Sequence, residues 1–206
     1  MESSVKLKSK PSAKYAQRRF EVLSAAARTF SRLGFQIATL DDIAQELGVT
    51  KPALYYYASS KDELLDACGK MALDALEIAL DTSDQPELDG LERLCRFFHA
   101  YAEIVCQDFG RCLVLTEPRD LAPESRSANV ARRRALNLAI RQVIRDGVSD
   151  GSIARGDERI LANVLFDAFN GLSRWFSEAG PTPLSVIVDQ YLALFMSGVD
   201  ARGGPG

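Results

Sequence analysis

Residues 39–57 read TLDDIAQELGVTKPALYYY, and this stretch decides the fold. Thr39 and Asp42 have the spacing of a capping box, in which a hydroxyl and a carboxylate three residues apart satisfy the first free amides of a helix. The short helix that begins there is predicted to run through Leu47. Gly48 then closes it, because glycine tolerates the left-handed backbone that commonly ends a helix.

A second short helix is predicted after this glycine. Thr50 is a favourable N-cap, and Pro52 falls in the first turn, where a missing amide hydrogen costs little. Two short helices joined by a turn around Gly48 predict a helix-turn-helix. Upstream, apolar residues recur at three- and four-residue steps over residues 12–33, which predicts an amphipathic helix that ends at Gly34.

The rest of the chain is also predicted to be helical. No stretch alternates in the manner of a strand, so the fold class is all-α with about nine helices. The later periodic apolar stretches cover 61–80, 88–106, 125–148, 157–178 and 184–199. The predicted divisions are a basic arm over 1–14, a three-helix helix-turn-helix domain over 15–62, a second helical domain over 63–200 and a flexible tail over 201–206.

The charge of the chain is unevenly distributed. Its 206 residues carry a formal net charge of −3 and 47% hydrophobic residues, which is typical of globular proteins. Residues 1–65 nevertheless hold ten basic against seven acidic side chains, which leaves 15 basic against 21 acidic beyond them. A basic head on an acidic body indicates an anionic partner for the head, although the run Lys6-x-Lys8-x-Lys10 taken alone would be read as a solvated tail.

Neither a membrane span nor a disulfide framework is expected. The longest unbroken apolar run covers residues 191–196, far short of the roughly 18 residues that a span requires. The four cysteines, at positions 68, 95, 106 and 112, form no C-x-x-C pair and lie in apolar segments, as reduced cysteines do in cytosolic proteins. We therefore expect a cytoplasmic protein.

Catalytic signatures are scarce. Glycine-rich nucleotide loops, a nucleophile elbow and zinc-protease motifs are absent from the sequence. Cys95, His99 and Glu103 follow one helix face at four-residue steps, which suggests a nucleophile, base and orienting acid, or three metal ligands. A straight helix offers no oxyanion hole and brings only neighbouring pairs close enough for one metal. We therefore predict no catalytic residue, metal or cofactor, and an all-α enzyme that uses these three residues is the alternative.

Several short motifs follow one another through the head at fixed spacing. They are Thr39, Ile43-Ala44, Leu47-Gly48-Val49, Leu54-Tyr55, Ser60-Lys61 and Leu64-Leu65. In this order the chain resembles, over about residues 18–66, the TetR family of transcriptional regulators, whose usual pattern runs threonine, D-I-A, G-V, L-Y-x-H-F, S-K, L-L. Tyr57 stands where the family usually has histidine, and Ala58 where it has phenylalanine. A tyrosine can still donate a hydrogen bond to a phosphate, whereas the smaller Ala58 calls for compensating packing.

The resemblance implies a head that binds DNA. Lys51, Tyr55 and Tyr56 lie on or near the faces left free for the major groove and the DNA backbone. Thr39 and Lys61 are at helix starts, which suits phosphate contacts. The predicted DNA-binding residues are Thr39, Thr50, Lys51, Pro52, Ala53, Tyr55, Tyr56, Tyr57 and Lys61.

The last two predicted helices, 157–178 and 184–199, are apolar around most of their circumference. One core cannot cover every face, so the second burial surface is predicted to be another copy of the chain, with a fully interior helix pair as the alternative. The predicted dimer-interface residues are Leu161, Leu165, Leu172, Val188, Leu192 and Phe195.

The body is rich in aromatic residues and has few central polar groups, a composition typical of pockets for largely apolar ligands. Residues 170–176 (NGLSRWF), followed by Gly180-Pro, resemble a subgroup of the family whose members respond to acyl-CoA thioesters. The arginines at 132–134 could serve a phosphate-bearing ligand, although an exposed helix face is the favoured interpretation. The predicted ligand-binding residues are Phe98, His99, Tyr101, Phe166, Phe169, Asn170 and Trp175.

These observations together predict a homodimeric repressor that reads a palindromic operator in double-stranded DNA. A hydrophobic small-molecule effector, for which an acyl-CoA is one candidate, would release it. The half-sites would lie about one DNA turn, roughly 34 Å, apart. An activator of the same fold is an alternative, whereas an adaptor that binds only protein would leave the pattern of the first 65 residues unexplained.

Overall fold

The computed structural model describes residues 13–197, and within them the chain is all-α, as predicted. The predicted basic arm, apart from its last two residues, and the predicted tail lie outside this range. A single 3-10 turn, Pro118–Asp120, accompanies the helices. The helices are α1 (Ala13–Leu33), α2 (Leu40–Glu46), α3 (Lys51–Tyr55), α4 (Lys61–Ser83), α5 (Gly90–Cys106), α6 (Asp108–Leu115), α7 (Pro123–Asp150), α8 (Glu158–Trp175) and α9 (Leu184–Ser197).

The turns of the helix-turn-helix form where the sequence places them. Gly34 and Gly48 have φ values of 80° and 66°, in the left-handed region that favours glycine, and they follow α1 and α2. The capping box at the start of α2 is complete, because the amide of Asp42 donates to the Thr39 hydroxyl and the amide of Thr39 donates to the Asp42 carboxylate. The observed glycine turns and capping box therefore confirm the helix ends predicted between residues 33 and 51.

Two hydrophobic clusters form the core, one in the head and one in the body. The head cluster packs α1, α2 and α3 against the first turns of α4 through Leu64, Leu65 and Cys68. It also takes in Cys112 from α6 and Leu121. The body cluster packs the rest of α4 with α5, α7, α8 and α9. Helix α4 thus belongs to both cores, and the predicted division at 62/63 falls where it begins rather than between the cores.

Helix α6 was not among the predicted periodic stretches. It follows α5 after a single residue, Gln107, so the two helices turn sharply against each other. A Cβ placed on Gly110 would lie 2.0 Å from the carbonyl oxygen of Ile104, so only glycine permits this turn. Because of this sharp turn, α6 packs against α1, α4 and α5.

Other helices of the chain cover one side of α8 and α9: α8 packs on α5, α6 and α7, and α9 packs on α5. Most of the residues predicted for a dimer interface lie on this covered side. Four of the six predicted residues are buried in the chain's own core, and Leu161 and Phe195 are partly buried against it. A side chain already surrounded by its own chain has little surface left for a partner. The four core residues are Leu165, Leu172, Val188 and Leu192. Other apolar residues of the same helices are exposed, namely Ile160, Val164, Trp175, Val186, Leu194 and Met196.

Candidate nucleic-acid interface and cavity

The outer surface of α3 is exposed and carries side chains that can contact DNA. Leu54 is buried and anchors α3 in the head cluster, which leaves Ala53, Tyr55 and Tyr56 on the outside. Tyr55 is 50% exposed and Tyr56 71% exposed, which is unusual for aromatic side chains in a folded protein. Pro52 is also exposed, in the first turn of the helix.

The two threonines at the helix starts differ in what their hydroxyl groups do. The Thr39 hydroxyl donates to the Asp42 carboxylate at 2.6 Å, so its single donor is already used. This bond, together with the one from the Thr39 amide, lowers the pKa of Asp42. The Thr50 side chain makes no capping hydrogen bond and is exposed. Thr50 therefore has a hydroxyl donor to offer a phosphate, and Thr39 does not.

Lys51 and Lys61 are also held by the protein itself. The ammonium of Lys51 lies 2.8 Å from Asp41, and this hydrogen bond raises the pKa of Lys51. Lys61 donates to the carbonyl oxygens of Phe35 and Ala38 at 2.7 and 3.1 Å, with a longer contact of 3.4 Å to that of Gln36. Its ammonium also lies 4.4 Å from the centre of the Phe35 ring. These contacts occupy all three N–H donors of Lys61, so its geometry favours tying the α1–α2 loop to α4 over the predicted phosphate contact.

An aromatic cluster that sequence analysis missed supports the end of α3. The ring of Tyr15, in the first turn of α1, lies 5.7 Å from that of Tyr56 and 5.4 Å from that of Tyr57. Tyr57 is half-buried, and its ring lies 5.0 Å from that of Tyr56. Ala58 is buried in the head cluster. The start of α1 thus positions the tyrosines next to the predicted DNA-reading face.

The body contains a cavity of about 350 Å³ among α4, α5, α6, α7 and α8. Three of the seven predicted ligand-binding residues line this cavity: Tyr101, Phe166 and Asn170. The hydroxyl of Tyr101 donates to the side-chain oxygen of Asn170 at 2.7 Å, and burial raises the pKa of Tyr101. The lining residues that were not predicted are Leu73, Leu76, Leu113, Val114, Arg133, Leu136, Asn137, Asn163 and Asp167.

The other four predicted ligand-binding residues do not line this cavity. Phe98 and Phe169 are fully buried behind it, with ring centres 4.8 Å apart, and the Phe98 ring lies 5.5 Å from that of Phe166. His99 points toward α9, where its Nε2 lies 3.2 Å from an oxygen of Asp189. Trp175 is 54% exposed on the outer side of α8. The two phenylalanines therefore pack behind the residues that line the cavity, whereas His99 and Trp175 lie outside it.

The three consecutive arginines have three different surroundings. Arg132 pairs with Asp74 and Glu77 of α4, at 2.6 and 2.7 Å. Arg134 is exposed, as predicted for this helix face. Arg133 turns inward and lines the cavity, which the sequence could not show because three residues in a row on a helix point in three directions.

The Cys95, His99 and Glu103 arrangement does not assemble into a reactive site. Cys95 is half-buried, and burial raises the pKa of its thiol, which works against a reactive thiolate. His99 pairs with Asp189, while Glu103 is exposed. Within residues 13–197, no cluster of three or more His, Cys, Asp or Glu side chains could hold a metal ion. No helix described there is long and apolar enough to cross a membrane.

Helix α6 touches both the cavity and the head. Leu113 and Val114 line the cavity, whereas the ring of Phe109 lies 5.4 Å from that of Phe20 in α1. Arg28 of α1 bridges the two parts further, with bonds of 3.0 Å to Glu46 of α2 and 2.9 Å to Asp108 of α6. The short helix α6 therefore joins the cavity wall to the head, as the long helix α4 also does.

Comparisons with known proteins match both parts of the chain. Residues 22–68 match the family model of bacterial regulatory proteins, tetR family. Residues 87–199 match the model of the tetracyclin repressor-like C-terminal domain. The chain is 26% identical over 197 residues to the HTH-type transcriptional repressor KstR2 of Mycolicibacterium smegmatis, an alignment that covers 92% of this chain and 94% of that protein.

Solved structures share this architecture over most of their length. The ketosteroid transcriptional regulator KstR2 of Mycobacterium tuberculosis matches with a TM-score of 0.81 and 26% identity, over 88% of this chain and 94% of that one. The crystal structure of AibR in complex with isovaleryl coenzyme A and operator DNA matches with a TM-score of 0.76 and 22% identity, over 87% of this chain and 98% of that one. The AibR match shows the fold that the two chains share.

Proposed function

Because the chain belongs to the TetR family of bacterial regulatory proteins, which regulate transcription and are not enzymes, we propose that it is a repressor. A small molecule bound in the body would release it from its operator. The observation that carries this proposal is the position of α6, which forms part of the cavity wall and also packs on α1 of the DNA-binding head.

The DNA-reading surface is proposed to be the outer face of α3 with its neighbours. Ala53, Tyr55 and Tyr56 would face base edges in the major groove, because they are the exposed side chains of the second helix of the motif. Thr50 and Tyr57 would contact phosphates, and Lys51 would do so after exchanging its Asp41 partner. The lysines of the basic arm would add phosphate contacts that carry no sequence information.

A homodimer is proposed to place two such heads on the two halves of a palindrome. The exposed apolar side chains of α8 and α9, among them Val164, Trp175 and Leu194, support this interface because they would otherwise remain in water. Two heads related by a two-fold axis read half-sites about one DNA turn, roughly 34 Å, apart or slightly more.

Release would follow from a change in the position of α6. A ligand against Leu113 and Val114 pushes on one side of α6, and the other side carries Phe109 and Asp108 against α1. A ligand that prefers one arrangement of this helix shifts the population toward it, and the two heads then no longer match the half-site spacing. Ligand and DNA must weaken each other's binding by the same factor.

The ligand is proposed to be a largely apolar small molecule. Six of the twelve lining residues of the cavity are aliphatic or phenylalanine, and Phe98 and Phe169 form an aromatic backing. AibR, which shares the fold, was crystallised with an acyl-CoA, so the acyl group of such a thioester is one candidate for this cavity. A cavity of about 350 Å³ is near the lower end of the range for small-molecule sites, so it would hold a compact group.

A fluorescence-anisotropy titration of the full chain on DNA from upstream of its own gene tests the proposal. We expect tight, salt-dependent binding to one segment and weak binding to a shuffled segment of the same composition. Affinity that ignores both DNA sequence and salt would refute it. Deleting the gene should raise transcription from the bound promoter, whereas a fall would identify an activator.

A further inference from the structure

We infer that the cavity takes a compact apolar carboxylic acid, and that Arg133 binds its carboxylate. This inference rests on the proposed function, since it names the chemical class of the ligand in the same cavity. It begins from a cation that hydrogen-bonds to amide groups and, among the residues the structure describes, forms no ion pair.

Arg133 lies on the cavity wall, where its hydrogen bonds go to neutral groups. Its Nε donates to the side-chain oxygen of Asn129 at 2.8 Å, and one terminal nitrogen donates to the carbonyl of Leu113 at 2.7 Å. Among residues 13–197 it forms no ion pair with any carboxylate, whereas the adjacent Arg132 forms two. Burial lowers the pKa of Arg133, as expected for a cation removed from water.

The unused donors of Arg133 define the ligand group. A guanidinium has five N–H donors, and the two bonds to Asn129 and Leu113 leave three for a ligand. A planar carboxylate can accept two of them side by side, in the geometry for which arginine is suited. A half-buried cation without a partner is costly, and a bound carboxylate would remove that cost.

The rest of the lining fits an acid with an apolar body. Leu73, Leu76, Leu136 and Phe166 offer aliphatic and aromatic surface, while Tyr101 stands beside Arg133. The one carboxylate of the lining, Asp167, is exposed to solvent and forms no ion pair with Arg133 among the described residues. The cavity volume of about 350 Å³ limits the molecule to a compact one.

The test measures binding to the full chain without DNA, by calorimetry. Probes are straight-chain acids of about six to twelve carbons and phenyl- and cyclohexyl-substituted acids, each paired with its primary amide and with its CoA thioester. We expect at least one acid to bind about 30-fold or more tightly than its amide, because losing one partner of a buried charge pair has effects of that size.

Variants assign the preference to Arg133. In Arg133→Gln the acid should bind no better than the amide, and Arg133→Lys should retain part of the preference because it keeps the charge but loses the two-pronged contact. Arg134→Gln is the matched control: it removes an exposed neighbouring charge and should leave both affinities unchanged. If Arg133→Gln does not fold, the comparison between the wild type and Arg133→Lys replaces it.

Three results would overturn the inference: no acid outbinds its amide, the preference survives in Arg133→Gln, or a CoA thioester outbinds the free acid of the same chain. These readouts are independent of DNA. A chain that prefers acids but ignores operator DNA refutes the proposed function alone. A chain that binds its operator but binds acids no better than amides refutes only this inference.

Discussion

Identical residue types have different roles in this molecule because their surroundings differ. The hydroxyl of Thr39 is used within the protein by Asp42, whereas that of Thr50 makes no capping bond, although both residues precede a helix of the head. Arg132 ties α7 to α4, while Arg133 faces the cavity. A residue's role here follows from whether its polar atoms are already paired.

The two threonines give a matched pair of predictions. Thr50→Val should weaken operator binding by about three- to tenfold, the effect of one hydrogen bond of about 1 kcal/mol, and should leave the unfolding midpoint unchanged. Thr39→Val should instead lower the free energy of unfolding by about 1 kcal/mol, because the helix loses its cap. Anisotropy titrations and urea unfolding measure the two effects, and exchanged outcomes would contradict the assignment.

Lys61 tests whether an internal hydrogen-bond network excludes a phosphate contact. Lys61→Met should lower the free energy of unfolding by about 1–3 kcal/mol, because the carbonyls of Phe35 and Ala38 lose a charged donor. The slope of log affinity against log salt should stay the same, since no phosphate contact is lost. A slope smaller by about one unit per subunit would show that Lys61 binds DNA after all.

At the scale of elements, close approaches between helices shape the body. The first residue of α5, Gly90, meets Gly147 of α7, and a Cβ on Gly90 would lie 2.3 Å from the Cα of Gly147. Gly110 similarly lets α6 turn back against α5. These contacts involve backbone atoms, which cannot rotate away as a side chain can, so the helix positions depend on glycine.

Gly90→Ala should therefore destabilise the body. Forcing α5 and α7 apart should lower the free energy of unfolding by about 1–3 kcal/mol, the usual cost of overpacking. Gly156→Ala is the control, because nothing lies within 4 Å of a Cβ at that position. Urea unfolding of the two variants measures the difference, and equal stabilities would refute the close contact between α5 and α7.

At the scale of the whole molecule, one chain leaves an apolar face uncovered. Val164 of α8 and Leu194 of α9 are exposed and apolar. The inner face of α8 packs on α5, α6 and α7, and that of α9 packs on α5. The proposed dimer would cover these exposed side chains, which differ from the residues that periodicity named. Trp175, expected in the cavity, belongs to this outer face.

The dimer prediction can be tested on this face. We expect a dimer at micromolar concentration by sedimentation velocity, and Val164→Glu or Leu194→Glu should raise the dissociation constant at least about 100-fold, because each buries a charge without a partner. Ile78→Glu serves as control, since Ile78 is also an exposed apolar residue but lies on α4. A monomeric wild type, or a control as disruptive as the two variants, would contradict the proposed interface.

The helices of the head and its turns are determined by the sequence alone. Caps, the glycines at 34 and 48 and the 3.6-residue period act between neighbours in the chain, so they can be read without a structure. The resemblance to the TetR family rests on the same local pattern, and the family models confirm it.

Only the tertiary structure decided which side chains face the cavity, the core or the outside. Arg28 meets Asp108 across 80 residues of sequence, and Arg133 faces a cavity whose walls include residues of α6 and α8. Periodicity showed that α8 and α9 are apolar around most of their circumference. It could not show which of their apolar residues pack against other helices of the same chain. Burial and charge pairing depend on neighbours that are distant in the sequence, and those neighbours are fixed only when the helices pack.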